Sequence, residues 1–249
     1  TAYDAPTLQA LAEVARKYRI TVLSDEIYAE LDHHGRSKSI AEYYPEGTII
    51  SGGLSKWCGA GGWRLGFFVF PKSMKRLEDA MAVCASETFT STSAPIQYAA
   101  VKAFEGNQEI EDYLVSARAV LAAVGRYVYN RLSGMEVYMP RPDGGFYLFP
   151  DFEVFREGLL RKGLHTDREM CEALLEEAGV ALLPGSDFGV RPDRYTARLS
   201  YVDFDGRAAM AAARENLAKQ QALDDAFVEA VCPNVAGGVG AMAQWFGGL

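Results

Sequence analysis

Ser51-Gly-Gly-Leu-Ser-Lys56-Trp-Cys-Gly-Ala-Gly-Gly-Trp-Arg64-Leu-Gly66 sets a single lysine in a glycine-rich segment between two apolar runs, with an arginine eight positions on. Before it, Thr48-Ile-Ile-Ser51 reads as a short buried strand; after it, Leu65-Gly-Phe-Phe-Val-Phe70 reads as another, stopped by Pro71. Upstream, Ile20-Thr-Val-Leu-Ser24 is a third strand, and it runs into Asp25-Glu-Ile-Tyr28. Apolar strands that do not alternate, separated by helical patterns, predict an α/β fold with a mainly parallel sheet covered on both faces. In such sheets ligands gather beyond the carboxyl ends of the strands, which is where Asp25 and Lys56 fall.

The periodicity outward from this stretch predicts two domains. Asp4 caps a helix from about Ala5, with Leu8, Leu11, Ala12, Ala15 and Tyr18 on one face. Helical patterns follow at about 73–85, 94–105 and 107–132, the last long enough to link two domains. Residues 1–106 are expected to form part of a large domain. Residues 107–231 are expected to form a smaller α+β domain, with strands at Glu136–Met139, Gly145–Phe149, Val180–Leu183 and Arg198–Tyr201 and helices near 167–178 and from 206. The glycine-rich residues 232–249 are expected to be loosely structured.

Composition excludes several classes. The chain has 249 residues, 49% hydrophobic and 23% charged, with a formal charge of −8, which speaks against a nucleic-acid partner. No run of about eighteen apolar residues predicts a membrane span. Cys58, Cys84, Cys171 and Cys232 form no Cys-x-x-Cys pair, and three histidines supply no metal-site spacing. Reduced thiols and a cytoplasmic location are expected. Cys58 could be reactive, but a small filler beside a crowded turn is favoured.

The chemistry begins with Lys56. Leu54, Trp57 and Trp63 make its segment too apolar for a solvated turn, and burial disfavours the ammonium form, leaving an amine able to attack an aldehyde. Glycines at 52, 53, 59, 61 and 62 allow backbone to approach a ligand closely. The Gly-x-x-x-x-Gly-Lys pattern is absent, and Gly62-Trp63-Arg64 after Gly61 breaks Gly-x-Gly-x-x-Gly. Asp25 either caps the turn after its strand or holds a proton on a ring nitrogen. Tyr28 is either a half-buried aromatic or a donor to a ring oxygen. Arg64 offers a phosphate fork or a surface ion pair. An imine-forming lysine, a ring-nitrogen acid and a phosphate arginine in this order describe a pyridoxal phosphate site.

These motifs resemble the fold-type-I, class I/II pyridoxal-phosphate-dependent aminotransferases. The resemblance runs to about residue 220 and takes in Pro142-Asp-Gly-Gly-Phe-Tyr147, Gly179-Val-Ala-Leu-Leu-Pro-Gly-Ser-Asp-Phe-Gly189 and Arg198-Leu-Ser-Tyr201. It implies that Lys56 is the Schiff-base lysine, Asp25 binds the ring nitrogen, Tyr28 the ring oxygen and Arg64 the phosphate. It implies too that Arg198 binds the α-carboxylate of an amino acid or 2-oxo acid, and that the protein is a homodimer. The Thr88–Ser93 stretch is a candidate contribution to the neighbour's site, or simply a polar loop before a helix. The family's hydroxyl three residues before the lysine is here Gly53, and Ser55 is the candidate replacement in the phosphate cup. The resemblance further implies that the family's amino-terminal third does not lie in this sequence. A lyase, decarboxylase or synthase on the same fold, or a non-catalytic interaction module, are the alternative readings.

Overall fold

Asp4 stands at the head of the first helix and its carboxylate accepts the Thr7 backbone N–H at 2.9 Å, satisfying one of the donors that a helix start leaves unpaired. A computed structural model describes residues 2–249 of the chain. It divides into two units, residues 2–118 and 119–249. The division falls inside a long helix, not at the 106/107 boundary expected from the pattern.

In the first unit, α1 (Ala5–Lys17) packs Leu8, Ala12 and Ala15 against Ile40 and Tyr44. The sheet has the order β1-β2-β3, with β1 spanning Val22–Asp25, β2 Thr48–Gly53 and β3 Gly66–Val69. β1 and β2 are parallel, as expected, but β3 is antiparallel to β2. The link between β2 and β3 holds only a turn and a short 3-10 segment (Gly61–Trp63), with no helix to carry a parallel crossover, so the chain returns antiparallel. Side chains paired in register share a face. Leu23, Asp25, Ile49, Ser51 and Phe68 therefore line one side, and Val22 on the other joins the core under α1. The sheet is not covered on both sides by the described residues: Leu23 is 62% and Phe68 50% exposed. Helices α2 (Lys75–Phe89) and α3 (Ala94–Glu105) follow, then α4 (Gln108–Ser133).

The second unit carries a small antiparallel sheet, order β4-β6-β5, from β4 (Tyr147–Leu148), β5 (Leu183–Pro184) and β6 (Ala197–Ser200). The strand expected over Glu136–Met139 is reduced to one bridge, Tyr138 to Asp151. Around the sheet lie α5 (Arg156–Arg161), α6 (Asp167–Ala178) and α7 (Gly206–Ala218).

The loose tail expected after residue 231 is instead helix. α8 (Asp225–Val231) and α9 (Pro233–Gly247) meet at a 108° bend, and Val235, Val239, Met242 and Phe246 of α9 are buried. Those four recur at helical spacing, and that period prevails over glycine's poor propensity. At Gly237, Gly240 and Gly247 a side chain would meet open space, so these glycines sit on the outer face and serve no close contact. Phe246 stacks on Phe152 at 4.7 Å and on Phe155 at 4.6 Å. No single helix among the described residues is long and apolar enough to cross a membrane.

Candidate active site

Two strand ends and one turn position the predicted residues of the first unit. β1 ends at Asp25, whose carboxylate accepts the Ile27 N–H at 3.3 Å, closing a turn that leads to Tyr28. The Glu26 N–H donates to the Ser51 carbonyl at 2.8 Å and ties this turn to β2. β2 runs into the lysine segment, which folds back through Ala60 N–H to the Leu54 carbonyl at 3.1 Å and Gly59 N–H to the Lys56 carbonyl at 3.2 Å. Lys56 and Ser55 are half-buried, Trp57 is buried and Trp63 is exposed, so the apolar wall of the segment is Leu54 and Trp57 without Trp63. The Lys56 ammonium nitrogen lies over the Tyr28 ring, 5.8 Å from its centroid.

Arg64 adopts a left-handed backbone, φ 55° and ψ 49°, unusual for a residue with a side chain. Its guanidinium bends back and donates to the Gly61 carbonyl at 2.7 Å. Asp25, Ser51 and Arg64 line one groove of about 760 Å³ between the open sheet face and α2, together with Thr88 and Thr92. Lys56, Tyr28 and Ser55 are outside that lining. The glycine at 53 has a steric cause: a Cβ there would fall 2.7 Å from the Leu65 carbonyl oxygen, where β3 closes on β2. No hydroxyl-bearing residue fits at that position in this packing. Cys58 is exposed, so it is not the filler of a crowded turn that the sequence predicts, and partial desolvation raises its thiol pKa, which disfavours a reactive thiolate.

In the second unit Arg198 lies on β6, half-buried. Tyr147 pairs with Ser200, so the two-residue period puts Tyr147 and Arg198 on the same face. The Arg198 guanidinium carbon is 4.6 Å from the Tyr147 ring centroid and 4.6 Å from that of Phe188. Among the described residues it has no ion-pair partner, Asp203 included, and its contacts are with the two rings. The buried Tyr201 donates its hydroxyl to the Gly145 carbonyl at 3.1 Å and fixes the loop before Tyr147. Tyr147 and Phe188 received no role from the sequence. Their signal was present in the Gly-Gly-Phe-Tyr and Ser-Asp-Phe-Gly stretches, whose pairing needs the sheet register.

The described residues thus supply an amine beside a phenol, an acid and a guanidinium on one groove, and a second guanidinium without an acid. Residues 1–217 match the family model for aminotransferase class I and II. The chain belongs to the class I and II aminotransferases. It is 38% identical over 204 residues to the aspartate aminotransferase of Geobacillus stearothermophilus, covering 80% of this chain and 49% of that protein. It is 35% identical over 198 residues to a probable N-acetyl-LL-diaminopimelate aminotransferase of Bacillus subtilis, covering 78% and 46%. The structure of aspartate aminotransferase from Thermus thermophilus with maleate superposes with a TM-score of 0.70 at 28% identity, covering 87% of this chain and 52% of that one. The chain therefore spans about half the length of the relatives it matches. Members of this family depend on pyridoxal phosphate. The donor set fits that cofactor by its chemistry: the acid and guanidinium line a groove of a size that holds a small ligand, the amine and phenol meet on the adjoining segment, and each has a counterpart on a phosphorylated pyridine aldehyde. α8 and α9 lie beyond the residues matched by the family model.

Proposed function

We propose that this chain supplies the cofactor lysine and the carboxylate-binding arginine of an aminotransferase that moves an amino group between an amino acid and a 2-oxo acid. The observation that carries the reading is the family match, with Lys56 set over Tyr28 and Asp25 and Arg64 sharing a groove in the same unit. Pyridoxal phosphate, when bound, supplies an aldehyde that takes up amines and a ring that accepts electrons from Cα.

The residues divide the remaining work. Asp25 would hold a proton on the ring nitrogen through its negative charge. Tyr28 would donate to the ring oxygen, and Arg64, with Ser55 on the lysine segment, would hold the phosphate. Lys56 would hold the cofactor through its amine, and the same amine is the general acid and base that would move a proton at the substrate's Cα. Arg198 takes the α-carboxylate through its fork, as the maleate-bound relative makes chemically reasonable. We place the working enzyme in the cytoplasm as a homodimer, with Thr88–Ser93 facing the neighbouring subunit. The exposed Phe89 and the hydroxyl-bearing residues around it support this last point.

Incubation with pyridoxal phosphate, borohydride reduction and peptide mapping test the central assignment. The label is expected on the peptide containing Lys56, and Lys56→Ala should lose it. Label on Lys38 or Lys72 in its place would overturn the reading.

A further inference from the structure

Asp167 is a carboxylate with no exposed surface and, among the described residues, no cationic partner. A buried charge is costly unless hydrogen bonds replace its water. Asp167 receives two such bonds from one residue: the Ser186 N–H at 2.6 Å and the Ser186 hydroxyl at 2.9 Å. It sits in the first turn of α6, where the free N–H groups and the helix dipole favour a negative charge. The whole of its compensation beyond the helix is therefore spent on fixing Ser186.

Ser186 belongs to a 3-10 turn, Gly185–Phe188, that is pinned on every side. The Gly185 N–H donates to the Thr196 carbonyl at 2.8 Å, and a Cβ on Gly185 would lie 1.9 Å from the Thr196 hydroxyl, so only glycine allows that approach. Asp187 pairs with Arg168 of α6 at 2.5 Å. Gly189, at φ 83°, closes the turn in the left-handed region. Two residues past Ser186, Phe188 places its ring 4.6 Å from the Arg198 guanidinium carbon, and Phe149 meets that ring edge-on at 6.0 Å. A cation over an aromatic face is held by the ring's quadrupole, and the ring limits the directions open to its N–H fork.

We propose that Asp167 is a positioning residue for Arg198, acting through Ser186 and the Phe188 ring to fix how the guanidinium presents itself to a carboxylate. This rests on the reading of Arg198 as the carboxylate clamp only for its functional consequence; the mechanical link stands on the geometry.

The test uses the 249-residue chain labelled with ¹⁵N-arginine, with the Arg198 Nε–H resonance assigned by its loss in Arg198→Lys. Propionate is the carboxylate probe and propylamine the control. Asp167→Asn replaces one acceptor by a donor facing Ser186, and Phe188→Leu removes the ring and leaves the turn's anchors. Each is expected to move the ligand-free Arg198 resonance and to weaken propionate binding by at least about threefold. The double variant is expected to behave as Phe188→Leu alone, because residues in one chain of contacts are not additive. Full additivity, or an Arg198 resonance unmoved by Asp167→Asn, overturns the proposal. If Asp167→Asn fails to fold, Ser186→Ala, which removes one of the two bonds, carries the same cycle with a smaller shift. A parent chain whose Arg198 resonance ignores propionate, while Asp167→Asn still moves it, overturns the clamp and supports the positioning link.

Discussion

Arg64 combines two features that a single substitution separates. Its φ of 55° disfavours any residue with a Cβ, whereas the role we propose for its guanidinium is to hold a phosphate. Arg64→Gly relieves the backbone and removes the charge. Unfolding free energy is expected to stay within about 1 kcal/mol of the parent. Pyridoxal phosphate affinity, followed by fluorescence titration, should fall at least about tenfold, since charge-assisted bonds contribute roughly 1.5–3 kcal/mol. Unchanged affinity would return Arg64 to a turn residue held by the Gly61 carbonyl. Arg198 calls for a different readout. In the catalytically competent protein, Arg198→Ala should erase the preference for an amino acid over its decarboxylated amine, with kcat/KM for the amino acid falling at least about tenfold. A preserved preference ratio would remove the carboxylate from its role. Asp25, Tyr28, Lys56 and Arg64 are legible as candidates in the sequence because each lies in a short local motif, whereas Arg198 enters only through the family resemblance. Tyr147, Phe188 and Asp167 are not legible, because their relation to Arg198 crosses strands and a helix start.

At the scale of elements, α9 shows how composition misleads when period is ignored. Five glycines after residue 236 suggested a loose tail, but the apolar spacing closes a face onto Phe152 and Phe155. Phe246 is 2% exposed and Phe152 wholly buried, so Phe246→Ala should cost about 3–5 kcal/mol of stability. Urea unfolding monitored by circular dichroism measures it. A loss under about 1 kcal/mol would mean that α9 does not contribute to the core of the second unit. Gly237→Ala, on the outer face, should be neutral or slightly stabilising by the same measurement. β3 makes the parallel lesson for strands: its apolar run was recognisable, whereas its direction depended on the short connection from β2.

For the molecule as a whole, two buried thiols tie stability to alkaline pH. Burial raises Cys232 from an ordinary 9.0 to about 11 and Cys171 to about 12. Once the pH passes 9, the unfolded chain releases these protons while the folded chain keeps them. The folded state then binds more protons, so unfolding free energy falls as pH rises, and the stabilising contribution is complete below pH 9 and lost towards pH 11 to 12. Urea unfolding at pH 8.5 and about pH 10.5 should show the loss, and Cys232→Ala should flatten the pH dependence even where it lowers stability at pH 8.5. An unaltered slope in that variant would place the alkaline sensitivity elsewhere, in tyrosines or lysines.

The sequence by itself determined the α/β class, most helices, the glycine-flanked lysine and the family, because these rest on local period and short motifs that survive without neighbours. The helix over Ala94–Glu105 and that over Asp167–Ala178 coincide with their expected spans, since their end signals are local: a proline in the first turn and Gly106 after the last for one, the Thr166/Glu169 capping box and Gly179 for the other. Only the tertiary structure decided the open face of the first sheet, the steric exclusion of a side chain at Gly53, the helical end of the chain and the aromatic setting of Arg198. Each depends on which atoms approach from distant parts of the same unit. A carbonyl 2.7 Å from an absent Cβ, or a ring 4.6 Å from a guanidinium, is a distance that no pattern along the chain encodes.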